Sequence, residues 1–478
     1  MLFNSISFAV FLPIVFSLYW LIPREKRKIQ NLLLLISSYV FYGWWDYRFL
    51  FLLFFSTFLD YFSALKIDSE KNKSTKKTWL FISVFINVGF LGFFKYYNFF
   101  ADNFITVLNS FGFKADIWTI KLILPVGISF YTFHGLSYVF DVYNQKIKPR
   151  KDFIDYALFV SFFPLLVAGP IERATHLLPQ VEQKRTFKYS VAVDGLKQIL
   201  WGLFKKMVIA DTCAVLVNLI FDGANHYSGS TLVVGIVLFA FQIYGDFSGY
   251  SDIAIGTARL FGFELLRNFA YPYFSRDIAE FWRRWHISLT SWFKDYLYIP
   301  LGGNKGNTLV KVRNIFIIFL VSGFWHGANW TFICWGALNA VYFLPLLLTG
   351  KNRDNMEIVA KGRILPAFKD VIKIIVTFCL SCFAWIFFRS PTIAQAISYI
   401  KTIFSPSVLD KPEIFPARAF AWICILILID WIGREQLYPI KIIGVKWPRI
   451  LRWTFYAGII FSILYFGRHQ EPFIYFKF

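Results

Sequence analysis

The sequence predicts an all-α protein that crosses a membrane many times, and three observations predict it. The chain is 57% hydrophobic and 21% aromatic, with 59 Phe, so it is more apolar and less charged than a soluble domain of its length. Apolar runs recur from end to end and are continuous, not alternating, which reads as helices and excludes the strands of a barrel. The 25 Tyr and 17 Trp fit belts at the two membrane surfaces. Counting runs of roughly twenty residues gives about eleven transmembrane helices, with re-entrant and interfacial helices among them. They form one domain, residues 1–478, ending in an aromatic tail at 467–478.

The formal net charge is +21. In a soluble protein that would suggest nucleic acid. Here Lys and Arg cluster between apolar runs, which points to cytoplasmic loops and anionic lipid headgroups. No basic face interleaved with exposed aromatics marks a nucleic-acid partner. Cys379 and Cys382 match a CxxC pattern but lack the context of a redox motif, so packing is expected for all five cysteines. No metal site is expected.

Residues 6–22 form the first apolar run. No basic residue precedes it, while Arg24, Lys26, Arg27 and Lys28 follow it, the reverse of a secretory signal. It is expected to be an uncleaved span with its N-terminus outside. Residues 32–45 return outward and 49–65 come back in. Lys66, Lys71, Lys73, Lys76 and Lys77 then fall on the side of the first basic cluster, which agrees with that orientation. Residues 79–94 make the next span, and the mixed stretch 99–121 suits the outer interface. The run 122–143 carries Pro125, Gly127, His134 and Gly135, and 153–171 contains Pro164, Gly169 and Pro170. Such breaks argue for re-entrant helices, and irregular backbone survives at membrane depth only where protein or water covers it. The middle of the protein is therefore expected to be a funnel lined by interrupted segments.

Residues 193–221 read as a helix with Lys205 and Lys206 at mid-run, which either snorkel or place the segment flat at the surface. The run 232–244 leads into 245–252, where Asp246 and Asp252 need partners and Gly245 and Gly249 suit close helix contact. Both carboxylates read as hydrogen-bond hubs ahead of acid–base groups. Residues 277–300 are amphipathic. Phe281, Trp285, Leu289, Trp292 and Tyr296 share one face, Arg284, Ser288, Ser291 and Asp295 another, and His286 lies at the seam. The pattern suits a helix at an interface or wedged beside the funnel, and leaves a surface role for His286 open.

Residues 322–330 stand out. They place His326 between two apolar runs, 315–321 and 332–348. An ionisable imidazole there is expensive unless it has a partner or a task. A neutral imidazole can accept a proton. Gly323 and Gly327 flank it at a spacing that lets another helix or a substrate approach the backbone. The stretch reads as a catalytic centre; a core histidine hydrogen-bonded across two helices is the alternative. Runs at 371–388, 420–432 and 453–465 complete the spans.

Taken together, the segments 162–173, 244–252, 281–303 and 323–329 resemble the membrane-bound O-acyltransferase (MBOAT) family. Within it they look most like the bacterial membrane subunits of alginate O-acetylation and teichoic-acid D-alanylation. The resemblance covers most of the chain. It implies a ring of helices around a central tunnel in the bacterial cytoplasmic membrane, with donor arriving from the cytoplasm and acceptor modified outside. It places the family's catalytic histidine on His326 and a second, upstream histidine on His286. Trp325, Asn329, Asp246, Asp252 and His134 are expected to line or support the tunnel. The implied activity is O-acylation of an exported or cell-surface polysaccharide. The acyl group is expected to be acetyl, from a thioester donor such as acetyl-CoA, with no permanently bound cofactor. The implied partners are acyl-CoA or an acyl carrier, the polysaccharide acceptor, an extracytoplasmic esterase-like acetyl-transfer protein and membrane lipid.

The tail, residues 473–478, resembles the aromatic C-terminal motif of the small partner protein in D-alanylation and of alginate-type relatives. Two readings stay open. It is an interfacial anchor, or it enters the outer mouth of the tunnel and lets Tyr475 carry the acyl group transiently, since a phenol near a base can act as a covalent carrier. Two other functions are weighed. One is D-alanyl transfer to teichoic acid from a carrier protein. The other is a transporter or flippase for a lipid-linked sugar, because interrupted helices with buried polar groups also mark transporters.

Overall fold

A computed structural model of the protein describes residues 1–113, 123–167, 169–467 and 471–474. Those residues form helices and connecting turns, with no strand among them. They fall into two units: Met1–Lys188 with Phe261–Leu265, and Tyr189–Leu260 with Leu266–Phe478.

In the first unit, α1 (Ile6–Leu21) and α2 (Arg27–Gly43) bend by 110° across a break that contains Pro23. After α3 (Leu50–Ser69), α4 (Lys73–Leu91) continues through a π turn at Gly92–Tyr96 into α5 (Tyr97–Ser110). Residues 99–110, expected as a mixed interfacial stretch, therefore prolong a helix begun at Lys73. Then come α6 (Ile128–Tyr143), α7 (Phe153–Ser161), α8 (Phe163–Leu166) and α9 (Ala174–Glu182). The interruptions have local causes. Gly127 starts α6 at φ 75, a left-handed value that glycine adopts without a Cβ penalty. Pro164 sits in the first turn of α8, where its missing N–H has no helical partner to lose. α3 packs on α4 and α6, and α7 on α2 and α9. Within this apolar bundle Asp60 is buried and accepts hydrogen bonds from Ser83 and Asn87, both at 2.7 Å.

In the second unit, α10 (Tyr189–Phe204) runs through a π turn, Lys205–Ala210, into α11 (Asp211–Asp222). α12 (Gly229–Leu260) is 32 residues long and continues unbroken through 245–252. α13 (Ile278–Arg284) and α14 (Ile287–Phe293) are followed by α15 (Thr308–His326), α16 (Trp330–Leu348), α17 (Phe368–Arg389), α18 (Ile393–Ile403), α19 (Ala417–Ile432) and α20 (Arg449–Phe466).

α10 and α12 touch backbone to backbone. A Cβ on Gly202 would stand 2.5 Å from the Gly249 carbonyl oxygen, and one on Gly256 2.5 Å from that of Gly195. Gly249 was expected to mediate such contact; its partners on α10 were not. This seam overturns the snorkelling expected of the two lysines, which are buried and paired inside the protein. Lys205 Nζ is 2.6 Å from Asp252 and 2.9 Å from Ser248 Oγ, and Lys206 Nζ is 2.7 Å from Asp211 and 2.9 Å from Asp246. The antiparallel register, 195 on 256, 202 on 249 and 206 on 246, sets cations opposite carboxylates. Ions so deeply buried persist only when paired and hydrogen-bonded.

Residues 277–300 do not form one amphipathic helix. The chain breaks at Trp285 and His286 between α13 and α14, and Phe281, Trp285, Leu289 and Trp292 are all buried. The aromatic face therefore packs inside the second unit. The span count also changes. Among the described residues six helices are long and apolar enough to cross a membrane, or seven if the bent pair of α1 and α2 is one span. About eleven were expected. The difference lies in elements such as α6, α10 and α19, which at 16 residues each are shorter than the six.

Candidate active site

His326 is the last residue of α15. Glycine brings α15 and α16 together: a Cβ on Gly323 would lie 2.2 Å from the Phe332 carbonyl oxygen, and one on Gly336 2.3 Å from that of Phe319. Asn329 holds the turn between them. Its side chain accepts from the Thr331 N–H at 3.0 Å and donates to the Pro391 carbonyl at 2.8 Å. His326 is 4% exposed. Its ring stands 5.2 Å from Trp335, 5.2 Å from Phe388 and 4.9 Å from Trp325, edge to face in each case. The imidazole is thus boxed by aromatics at the point where a helix ends.

His286 occupies the break between α13 and α14. It adopts φ 44 and ψ 54, a left-handed conformation that costs a residue with a Cβ about 1–2 kcal/mol. The surroundings over-determine it. On one side Ala270 N–H donates to the Arg284 carbonyl at 2.9 Å, and on the other Ile287 N–H donates to the Asn268 carbonyl at 2.9 Å. The Asn268 side chain accepts from Ser288 Oγ at 2.9 Å and donates to Ser251 Oγ on α12 at 3.0 Å. Buried Glu280 grips Arg276 and Arg284, whose nitrogens approach to 3.0 and 2.7 Å. His286 is 1% exposed, and neither ring nitrogen has a hydrogen-bond partner among the described residues. A strained backbone and a buried imidazole with two uncommitted nitrogens each cost stability, and both are the marks of a site held ready for a ligand.

One ring joins the two histidines. Trp325 lies 6.1 Å from His286 and 4.9 Å from His326. On its other side His286 meets Phe247 of α12 at 4.6 Å, and Phe247 meets Phe473 of the tail at 5.8 Å. Phe473 and Ile474 are buried, so the described part of the tail packs inside the protein. Tyr475 lies outside the described residues.

The remaining expected residues have structural partners. Asp252 accepts from Lys205 at 2.6 Å and from Gln198 at 2.7 Å. Asp246 pairs with Lys206 and accepts from the Ile474 N–H at 2.7 Å. His134 belongs to the other unit. There its Nε2 accepts from the Glu172 N–H at 3.1 Å and its Nδ1 lies 3.5 Å from the Val160 carbonyl, so both nitrogens face main chain. The site thus gathers His326, Trp325, His286 and, through Phe247, the tail. Sequence reasoning missed Lys206 and Asn268. For Lys206 a signal existed: two lysines in one apolar run and two carboxylates in the next invite antiparallel pairing. Asn268, in a loop of ordinary composition, offered none.

Comparison with known proteins meets this geometry at the same residues. The model of the MBOAT, membrane-bound O-acyltransferase family, matches residues 128–388, which include both histidines and stop short of the tail. A protein of Pseudomonas aeruginosa named "probable alginate O-acetylase" is 38% identical over 92% of this chain and 82% of its own length. The peptidoglycan O-acetyltransferase of Helicobacter pylori is 37% identical over 84% of this chain and 79% of its own. The teichoic acid D-alanyltransferase of Bacillus subtilis is 27% identical over 56% of this chain and 69% of its own.

Proposed function

The chain belongs to the membrane-bound O-acyltransferase family, and from that premise we propose that this multi-pass membrane enzyme carries acetyl groups from a cytoplasmic thioester to the hydroxyls of an exported or cell-surface polysaccharide. The single observation that carries the reading is the pair of buried imidazoles in contact with one tryptophan. Acyl transfer to oxygen needs a base for the hydroxyl and a donor for the oxyanion, and the two histidines can divide those tasks.

His326 removes the proton as the hydroxyl oxygen attacks the thioester carbonyl. The oxyanion of the tetrahedral intermediate takes a hydrogen bond from an uncommitted N–H of His286. Collapse breaks the carbon–sulfur bond, and the thiolate leaves with the proton held by His326. The product is an ester and a free thiol. The alginate O-acetylase and peptidoglycan O-acetyltransferase names of the relatives favour an acetyl group and a glycan acceptor. The donor is acetyl-CoA, the membrane is the bacterial cytoplasmic membrane, and the N-terminus faces outward, a reading that the placement of the basic loops supports. The non-enzymatic alternative, a lipid-linked sugar transporter, is overturned by family membership: the chain is an acyltransferase.

The acceptor that meets His326 first is the phenol of Tyr475, which then passes the acyl group to an extracytoplasmic esterase-like partner. The burial of residues 473 and 474 beside Phe247 supports a tail that enters the protein. The test is mass spectrometry of the C-terminal peptide after incubating the purified full chain with labelled acetyl-CoA. Label on Tyr475 is expected, with glycan acetylation lost in Tyr475→Phe. Wild-type acetylation by that variant would return the tail to an anchoring role.

His286 yields a second prediction, in which stability and activity separate. Glycine at 286 relieves the left-handed strain and removes the two uncommitted nitrogens. With the relieved strain set against the cavity left by the buried ring, His286→Gly is expected to unfold within a few degrees of the wild type, yet to transfer about a hundredfold more slowly or worse, the usual loss on removing an oxyanion donor. A variant both less stable and fully active would refute the assignment.

A further inference from the structure

Lys206 and Asp246 are among the most deeply buried charges in the second unit, and the pairing of α10 with α12 does not account for all they do. Lys206 already has Asp211 at 2.7 Å and Asp246 at 2.9 Å. It makes a third bond at 2.9 Å, to the main-chain carbonyl of Glu471. Asp246 directs its other oxygen to the main-chain N–H of Ile474, at 2.7 Å. The ion pair thus grips the tail at two main-chain points three residues apart. Between them Phe473 is fully buried, its ring 4.3 Å from Tyr250 and 5.8 Å from Phe247.

We infer that Lys206 and Asp246 form a receptor for the chain's own C-terminal segment, holding residues 471–474 in register against α12 beside His286. Three features point to holding and away from simple helix pairing. The contacts are to the tail's main chain, so they fix its register whatever side chains it carries. One is to a carbonyl and one to an N–H, so the charges match the tail's polarity and reject the reversed direction. The apolar slot takes one aromatic ring, so the grip is keyed by Phe473. Asp246 and Lys206 are positioning residues: they act through the tail and touch no reacting atom. Only the link to Tyr475, the next residue along, rests on the reading above; the grip on residues 471–474 stands without it.

Two variants test the receptor by different routes. Asp246→Asn leaves Lys206 paired with Asp211. Its amide has one oxygen, which Lys206 claims, and the NH2 group then faces the Ile474 N–H donor to donor. Ile474→Pro leaves every buried charge in place and removes the N–H itself. Its site lies beyond the end of α20, the last α-helix, so it serves if the first variant fails to fold. The measurement is hydrogen–deuterium exchange of the full chain in lipid nanodiscs, read on the peptide spanning residues 467–478. The wild-type peptide is expected to exchange slowly. Both variants should exchange there about ten to a hundred times faster, the range for loss of a hydrogen bond to a charged group, with α15 and α16 unchanged. A tail that stays protected in both variants, or is unprotected in the wild type, overturns the receptor. A protected tail that never carries an acyl group on Tyr475 upholds the receptor and overturns the relay alone. An acylated Tyr475 on an unprotected tail does the reverse.

Discussion

His326→Ala is expected to leave a folded, membrane-inserted protein that no longer transfers acyl groups. The activity loss follows from the chemistry. A hydroxyl is a poor nucleophile at neutral pH, and proton transfer by a positioned histidine supplies about a hundred- to ten-thousandfold. Among the described residues, the other imidazole that meets this aromatic box is that of His286, which reaches it across Trp325. Retention of the fold follows from the packing. The ring is held by Trp325, Trp335 and Phe388, and the glycine contacts between α15 and α16 do not involve it. Truncation leaves a cavity that costs a few kcal/mol, as for other buried rings. His326→Gln, which fills more of that space, should restore most of the thermal stability and none of the turnover. The check is thiol release from acetyl-CoA and ester formation on the glycan, beside a melting curve for each variant. Turnover within threefold of wild type in either folded variant would remove His326 from the chemistry.

The two histidines show what a sequence of this kind discloses and what it withholds. His326 was legible because a titratable group in an apolar run violates the pattern around it, and Gly323 and Gly327 announced the close approach. His286 was legible as a residue but not as a conformation. Its left-handed backbone is imposed by hydrogen bonds to Asn268 and from Ala270, residues sixteen or more positions away, and no local rule anticipates them. The same limit explains the error over residues 277–300, where helical spacing of aromatics continued across a break that tertiary contacts create. Lys205 and Lys206 were misread for another reason. Taken alone, a lysine in an apolar run snorkels; only a partner helix in register makes burial affordable. The helical class was secure from composition, whereas the number of spans was not, because apolar runs do not reveal where the helices within them stop.

Gly249→Leu is expected to abolish folding, and the seam of α10 on α12 explains why so small a change does so much. A Cβ at 249 would stand 2.8 Å from the Gly202 carbonyl oxygen and 3.1 Å from the Lys206 amide nitrogen. Both are main-chain atoms within a helix, so neither can swing aside. The helices must separate by roughly 0.5–1 Å for the Cβ alone to reach ordinary contact distance, and by more for a leucine. The charges sit one turn away. At that separation Lys206 and Asp246, now 2.9 Å apart, and Lys205 and Asp252, now 2.6 Å apart, lose their geometry. Breaking a buried pair costs about 3–5 kcal/mol. Two such losses approach the whole stability of a typical domain, about 5–15 kcal/mol. Gly249→Ala should fall between, unfolding at a lower temperature but still inserting. Gly458→Leu on α20 is the control, because nothing lies within 4 Å of a Cβ there, and it should melt like the wild type. Size-exclusion profiles and melting curves in detergent decide the matter. A monodisperse Gly249→Leu variant with unchanged melting would mean that α10 and α12 are not packed this closely, and the buried pairing of Lys206 with Asp246 would fall with it.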